Sequence, residues 1–315
     1  MDGADHDTYR MLAMPAFRSR PSTAFVTESL VPLAREIVDR FADRGECDLV
    51  AEFTAVLPFW AISRKLGLPV GSESRHRAWA RALLGYPADP QSALAASREV
   101  TRALEPLVEE RRSAPRDDVL SHLLSAEHKG LRLTDEEVFS HVRLLFAVGA
   151  TTTSDAMSSL FRALLTEPGL LDRARSDPAI RPRIVQESLR LEPPVASLPR
   201  LASGGEIAGT EVPPGSFVIA GIAAANRDPE VYPDPDRFDP DREGPDVLTF
   251  GSGSKFCPGA QLGRRQLLAA LEVVLERLPG LRLVEAAEPS GAILRSVARL
   301  RVKWDPPASR PSRRV

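Results

Sequence analysis

One segment of the sequence is long enough to cross a whole domain, and it constrains the fold more than any other. Residues 134–168, TDEEVFSHVRLLFAVGATTTSDAMSSLFRALLTEP, carry apolar residues at helical spacing. Thr134 and Glu137 have the spacing of a capping box, and Pro168 ends the segment. About thirty residues of helix extend roughly 45 Å. The segment therefore predicts one helix that spans the protein.

The rest of the 315-residue chain changes character after residue 200. Before that point the periodicity and the end signals predict further helices, at residues 22–45, 48–69, 73–87, 89–115, 117–127 and 179–194. Beyond it, residues 205–228 predict two strands around a Pro-Pro-Gly turn, and 226–244 form a long meander rich in Pro and Asp. A last helix is predicted at 258–280, and an antiparallel pair of strands at 281–304.

These patterns predict a mainly α fold with small β-sheets. We expect a single domain over residues 1–305, with a helical part at 1–195 and a part at 196–305 that holds the strands, the meander and the last helix. Residues 306–315, PPASRPSRRV, read as a disordered basic tail.

Composition excludes several classes of protein. The formal net charge of −2 argues against a nucleic-acid binder that relies on bulk charge. No apolar run is long enough to span a bilayer; residues 144–150, LLFAVGA, are among the best and are far too short. Two cysteines, Cys47 and Cys257, do not suggest a disulfide framework, so we expect a reducing, cytoplasmic setting.

The second cysteine lies in a glycine-rich loop at the start of the last predicted helix, in FGSGSKFCPGAQLGR (250–264). Gly251 and Gly253 allow positive φ, and backbone N–H groups at a helix start stabilise a thiolate. Because no second Cys and no Cys/His cluster lies nearby, a zinc or iron–sulfur site lacks ligands, and haem iron becomes the candidate for a single thiolate. A buried core cysteine and a phosphate-binding loop remain alternatives, although the loop lacks the Gly-Lys-Ser/Thr ending.

Four elements together resemble the cytochrome P450 family. The series Phe250, Gly251, Gly253, Cys257 and Gly259 is similar to the family's haem-thiolate loop. ESLR (187–190) resembles the E-x-x-R pair of the family's K helix, PDRF (235–238) resembles its meander arginine, and VGATTT (148–153) resembles its oxygen-activation helix. Each element alone has an ordinary explanation, such as a surface ion pair, a turn or a slightly bent helix. Their order and spacing make the combination specific.

The resemblance implies a bacterial-type haem-thiolate monooxygenase with haem b, in which Cys257 ligates the iron. It implies that an oxygen atom from O2 is inserted into a small apolar organic substrate, with electrons from a ferredoxin or a reductase. It also implies a role for further residues. The implied haem contacts are His6, Arg10, Leu144, Ala147, Val148, Arg200, Phe250, Gly251, Lys255, Cys257 and Gly259. The implied members of a buried charge network are Glu187, Arg190 and Arg237.

Thr152 matches the threonine that helps protonate and hold iron-bound oxygen, and Thr151 lies beside it. Leu144, Ala147, Val148, Thr151 and Thr152 recur at helical spacing, which predicts one stripe on the long helix; the resemblance turns this stripe toward the haem. Lys255, Arg264 and Arg265 surround the cysteine and offer a basic surface to an acidic ferredoxin.

The sequence departs from the family pattern at several positions. Thr151 stands where an acid is usual, so proton delivery is expected to be slower, to use a substrate group, or to be replaced by peroxide chemistry. Val148 replaces Ala or Gly and is expected to crowd the oxygen pocket. Lys255 keeps the charge of the usual His or Arg without its planar group.

The start of the chain, DGADHDTYRMLAMPAF (2–17), is similar to the family's C helix. The resemblance implies that the family's preceding segment is missing, and this predicts an open pocket and weak haem binding. Because of this missing segment and the departures at Thr151 and Val148, a non-catalytic or degenerate haem protein remains an alternative to the monooxygenase, and Thr151 leaves a peroxide-dependent enzyme as another.

Overall fold

The computed structural model describes residues 3–17, 19–69 and 73–306. Most of these residues are helical, which confirms the predicted mainly α class. The α-helices are α1 (Gly3–Ala13), α2 (Ser19–Phe25), α3 (Val31–Asp39), α4 (Leu57–Leu66), α5 (Glu73–Leu84), α6 (Pro90–Ser113), α7 (Val119–Ser125), α8 (Asp135–Thr166), α9 (Leu170–Ser176), α10 (Arg181–Leu191), α11 (Ile222–Ala225) and α12 (Ala260–Arg277). Residues 307–315, most of the predicted tail, lie outside the described residues.

Helix α8 is the long helix that the sequence predicts, and it lies at the centre of the fold. The capping box is present: the Glu137 N–H donates to Thr134 Oγ1 at 3.4 Å, and the Thr134 N–H donates to Glu137 Oε2 at 2.7 Å. Helices α4, α5, α10 and α12 all pack against α8. Such wide contact explains why α8 is apolar on more than one face.

The helix α4 crosses α8 closely at a glycine. A Cβ atom on Gly149 would lie 2.8 Å from Cγ1 of the buried Ile62, closer than real Cβ contacts come. Glycine at this position therefore lets the two backbones approach within the VGATTT segment.

The strands form small antiparallel sheets. They are β1 (Glu46–Asp48), β2 (Glu127–His128), β3 (Leu131–Arg132), β4 (Ser197–Leu201), β5 (Gly205–Ile207), β6 (Thr210–Val212), β7 (Phe217–Gly221), β8 (Arg282–Ala286) and β9 (Leu300–Lys303). The predicted antiparallel pair near the C-terminus is confirmed as β8 and β9, and β1 adds to β9 to give the order β1-β9-β8.

Strand β1 corrects the helix predicted at 48–69. Asp48 does cap the next turn, because its Oδ1 accepts the Val50 N–H at 3.0 Å, but the same oxygen also accepts the Leu300 N–H at 3.1 Å. The chain reaches this cap as a strand paired with β9. A π-helical turn at Val50–Thr54 then precedes α4, so the predicted single helix is divided.

The predicted pair of strands at 205–228 is also rearranged. The hairpin joins β5 and β6 through Ala208 and Gly209, whose φ values of 48° and 79° match a two-residue primed turn. The Pro-Pro-Gly run comes after β6 and leads into β7, which pairs with β4 instead. The strands on either side of that run therefore belong to different sheets.

One hydrophobic core contains residues from Phe17 to Trp304. The Trp304 indole is 1% exposed, donates to the Ala42 carbonyl at 2.6 Å and packs edge-on against Phe41. The C-terminal strands are thereby attached to the N-terminal helices. Across the described residues, each helix is too short or too polar to cross a membrane.

The cap of α8 yields a stability prediction. Thr134→Ala removes the hydroxyl that accepts the Glu137 N–H, so we expect the free energy of unfolding in urea to fall by about 1 kcal/mol. Thr134→Ser keeps an acceptor at this position and should unfold close to the wild-type midpoint. Equal midpoints for the alanine and serine variants would show that the cap contributes nothing.

Candidate active site at the cysteine loop

The loop before α12 is folded around the backbone of Cys257. The Cys257 N–H donates to the Phe250 carbonyl at 2.8 Å, and the Gly251 N–H donates to the Leu248 carbonyl at 2.8 Å. Gly251 and Gly253 have φ values of 70° and 63°, a region that favours glycine. Both glycines are therefore needed for the turn that brings Cys257 back to Phe250.

The Cys257 sulfur lies at the first turn of α12. Burial raises the pKa of this thiol, while the backbone N–H groups of Gly259 and Ala260 and the positive charges of Arg10 and Arg264 lower it. Burial has the largest effect, so in the protein alone the thiol is favoured over the thiolate. The surrounding groups nevertheless stabilise the anion that a metal ligand requires.

Two arginines attach the loop to its surroundings. Arg10 Nη2, on α1, donates to the Phe256 carbonyl next to the cysteine. The Arg264 guanidinium lies 4.4 Å from the centroid of the Phe250 ring, and its Nε donates to Gln186 Oε1 at 3.2 Å. Because the Arg264 side chain is half-buried against Phe250, less of its charge faces solvent than the sequence prediction of a docking surface assumed.

A buried ion pair lies behind the loop. Arg190 donates to Glu187 from both Nε and Nη2 at 2.8 Å, and the two side chains are 1% and 5% exposed. The remaining N–H groups of Arg190 donate to the carbonyls of Asn226 (2.8 Å), Pro235 (2.7 Å) and Arg237 (3.2 Å). The guanidinium thus joins α10 to the meander through almost all of its donors.

The third charged member of this network is Arg242, and the prediction that the Arg237 side chain takes part is wrong. Arg242 Nε donates to Glu187 Oε1 at 3.2 Å, and its side chain is 9% exposed. The Arg237 side chain is exposed, and only its backbone carbonyl accepts bonds from Arg190 and Arg242. Arg242 Nη2 also donates to the Asp234 carbonyl at 3.0 Å, a contact of the folded meander that the sequence pattern does not reveal.

Asn226 connects the network to the cysteine loop, and sequence reasoning missed it. This residue is fully buried, its Oδ1 accepts the Leu248 N–H at 2.9 Å, and its Nδ2 donates to Thr249 Oγ1 at 3.0 Å. Thr249 Oγ1 in turn donates to the Leu189 carbonyl of α10 at 2.6 Å. Asn226 comes directly after the short helix α11, where no periodic pattern marks it.

The threonines of α8 are bonded to their own helix. Thr151 Oγ1 donates to the Ala147 carbonyl at 2.9 Å, and Thr152 Oγ1 donates to the Val148 carbonyl at 2.7 Å. Each hydroxyl oxygen therefore keeps its acceptor capacity for another group. The predicted stripe is uneven, since Ala147 is 2% exposed whereas Leu144 is 60% exposed.

A cavity of about 550 Å³ begins at Thr151. It lies between α8, the end of α5 and the segment that precedes β9. Asp155, one helical turn beyond Thr151, lines it, and burial raises the pKa of this carboxyl to about 7 although the Arg81 charge lowers it. Sequence reasoning did not assign Asp155 a role.

The other predicted haem contacts are more peripheral. His6 Nδ1 lies 3.2 Å from Asp7 Oδ1, and Arg200 is exposed on β4, where its Nη1 donates to the Pro199 carbonyl at 2.8 Å. Lys255 is exposed next to the cysteine loop. Arg10, another of the predicted propionate donors, donates a hydrogen bond to this loop.

Comparison with known proteins agrees with this geometry. The family model for cytochrome P450 matches residues 181–279. Cytochrome P450 107B1 of Saccharopolyspora erythraea is 35% identical over 294 residues, which cover 91% of this chain and 71% of that protein. The chain belongs to the cytochrome P450 family. The mycinamicin IV hydroxylase/epoxidase of Micromonospora griseorubida is 34% identical, with 96% and 79% coverage.

Solved structures of other P450s have the same fold. The crystal structure of P450BioI in complex with an acyl carrier protein that carries hexadec-9Z-enoic acid has a TM-score of 0.90 at 27% identity, covering 97% of this chain and 80% of that one. The ligand-free structure of cytochrome P450 TbtJ1 has a TM-score of 0.87 at 32% identity, with 97% and 83% coverage. The predicted P450 fold is confirmed.

P450 proteins bind haem b, and the residues around Cys257 fit this cofactor. The described residues contain no cluster of three or more His, Cys, Asp and Glu that could hold a metal, so Cys257 is a lone sulfur donor, which suits haem iron. Leu248, just before the loop, and Phe256, next to Cys257, are each 39% exposed, and Arg10 supplies a cation. Apolar side chains with a nearby cation match a flat apolar ring that carries two carboxylates.

The network gives a prediction that separates two arginines of the meander. Arg242→Ala leaves Glu187 with one partner fewer in a buried site, so we expect the free energy of unfolding to fall by about 3 kcal/mol. Arg237→Ala, which removes an exposed side chain and keeps the bonded carbonyl, should leave it unchanged. Urea unfolding measures the free energy of unfolding of both variants. A larger decrease for Arg237→Ala than for Arg242→Ala would contradict the placement of Arg242 in the network.

Proposed function

We propose that this P450 inserts one oxygen atom from O2 into a small, largely apolar organic molecule, with Cys257 as the iron ligand. The observation that carries the proposal is the position of the Cys257 sulfur, which lies among the N–H groups of Gly259 and Ala260 and the charge of Arg10. A thiolate ligand gives haem iron the electron density that favours cleavage of the O–O bond. The relatives named as hydroxylase and epoxidase catalyse reactions of this class.

The residues of the loop hold the ligand in place and keep water away from it. Gly251 and Gly253 set the turn, and the Cys257 N–H is satisfied by Phe250 rather than by solvent. Arg10 and the exposed Lys255 supply cations for the two propionates, with His6 and Arg200 as further candidates. Arginine provides a planar group of donors for such carboxylates.

On the other side of the site, we assign Thr152 and Thr151 to the proton path. Each hydroxyl donates to a carbonyl one turn earlier, and its oxygen then accepts a hydrogen bond from water or from the reacting group. These hydroxyls pass on protons but do not store them, because neither side chain titrates near neutral pH. Proton supply therefore depends on water or on another group.

Bacterial P450s take electrons from a ferredoxin or a reductase, and we propose the same source here. Lys255 is exposed beside the cysteine loop, and Arg265 lies on the first turns of α12. Positive charge at this surface would steer an acidic ferredoxin toward the cysteine loop. Arg264 contributes less, since its guanidinium lies over Phe250.

A peroxide-dependent P450 is the second candidate, and Thr151 favours it. Thr151 stands at the position where an acid was expected, and its hydroxyl donates to Ala147. An enzyme that receives its oxygen from hydrogen peroxide needs no protons delivered to O2. Turnover with hydrogen peroxide but not with a ferredoxin, its reductase and O2 would select this candidate; the reverse result would select the monooxygenase.

The iron ligand is tested by optical spectroscopy of the reduced protein with carbon monoxide. We expect a strongly red-shifted Soret band for the wild type and its loss in Cys257→Ser, since the sulfur is removed. Cys47→Ala is the matched control, because Cys47 is buried among apolar residues and burial raises its pKa to about 12. A red-shifted band that persists in Cys257→Ser would contradict the proposal.

A further inference from the structure

Asp155 lines the cavity that Thr151 also lines, and the charge of Arg81 on α5 acts on its carboxyl group. Among the described residues, no donor bonds to its carboxyl group and no cation lies within ion-pair distance of it. The cavity also presents Thr151, Ser154 and Ser158 from the same helix. The Ser158 hydroxyl is already within 2.6 Å of Thr54 Oγ1 and donates to the Ser154 carbonyl, so Asp155, Ser154 and the arginines of α5 are the polar side chains of the lining that can meet a ligand, and Asp155 is the one acid among them.

A purely apolar occupant would be penalised in such a cavity. Filling it displaces water from Asp155, and a polar group that loses water without gaining a hydrogen bond costs about 1–3 kcal/mol, and more if it is charged. The best occupant is therefore a molecule that is mostly apolar but offers a hydrogen-bonding group at the level of Asp155. Apolar lining residues such as Phe59, Leu84 and Val297 suit the remainder of that molecule.

We propose that Asp155 is a specificity-determining residue that binds a hydroxyl group of the substrate. This inference rests on the proposed function, because it refines the substrate class of that site. A hydroxyl both donates and accepts, so it can bond to Asp155 whether the carboxyl is ionised or protonated. A ketone can bond only to the protonated acid, and an ammonium pairs best with the ionised form.

The charges around the cavity argue against a cationic group. Arg77 and Arg81 of α5 face it, and the other described lining residues, from α8, from residues 50–59 and from residues 294–298, add no charge besides Asp155. The charged side chains that line the cavity are therefore two arginines and one aspartate. A neutral hydroxyl avoids repulsion from these arginines, whereas an ammonium does not.

Matched probes test the proposal by isothermal titration calorimetry on the haem-loaded protein. Adamantan-1-ol and 1-methyladamantane have nearly the same shape and differ in a hydroxyl against a methyl group. We expect the wild type to bind the alcohol at least tenfold more tightly. In Asp155→Leu this preference should fall to within twofold, and the hydrocarbon should bind more tightly than it does to the wild type.

Two further variants serve as controls for Asp155→Leu. Asp155→Asn has an amide that donates and accepts, so it should retain a preference for the alcohol. Glu105→Leu removes an exposed acid of α6 that does not line the cavity, and should show the wild-type ratio. An unchanged ratio in Asp155→Leu, or no preference in the wild type, would overturn the proposal.

The dependence on pH provides an independent measurement. The Asp155 carboxyl is protonated below pH about 7, so binding of adamantan-2-one should weaken as the pH rises through that value, while binding of adamantan-1-ol changes little. Equal pH profiles for the two probes would count against the proposal. The carbon monoxide spectrum separates the two hypotheses. An Asp155 variant that keeps the red-shifted Soret band but no longer discriminates between the probes supports Asp155 as a recognition residue. A wild-type protein that lacks the red-shifted band contradicts Cys257 as the iron ligand and leaves the binding result for Asp155 standing.

Discussion

A buried guanidinium and a buried carboxylate determine where the cysteine sulfur lies. Arg190 and Glu187 are almost completely removed from solvent, and such charges are tolerated only when each is paired and hydrogen-bonded. Arg190 meets this condition by bonding to Glu187 and to carbonyls of the meander. If the meander moved, Arg190 would lose the carbonyls that accept its hydrogen bonds, and its buried charge would be left without them. Asn226, which accepts from Arg190 with its carbonyl, transmits this restraint to the loop that carries Cys257.

Helix α8 carries the other residues that we propose for the site, and the same stretch of sequence also serves packing. Gly149 allows the close crossing with α4, while Thr151 and Thr152 bond back to their own helix and present oxygens that can accept. One turn later, Asp155 lines the cavity of about 550 Å³. The residues that we propose for substrate recognition and for the proton path thus lie on a single helix, which begins with a capping box and packs against several other helices, including α4, α5, α10 and α12.

The parts that could be predicted from the sequence are those written in local patterns. The extent of α8, the turn-forming glycines before Cys257 and the spacing of Glu187 and Arg190 are short-range features, and the structure contains each of them. Residues brought in by the tertiary fold could not be predicted. Arg242 takes the place predicted for the Arg237 side chain through contacts with Glu187 and the Asp234 carbonyl that exist only in the folded meander, and Asn226 and Asp155 have no pattern around them. Strand β1 was missed because its partner, β9, lies near the other end of the chain.

Hydrogen exchange of the loop amides in Asn226→Ala tests most directly whether the buried pair positions the cysteine. We predict that amides of residues 248–257 exchange at least about tenfold faster than in the wild type, as expected when a buried bond worth roughly 1.4 kcal/mol is lost, while amides of α8 keep their protection. Wild-type exchange throughout the loop would contradict it, because the sulfur would then be held by the loop alone.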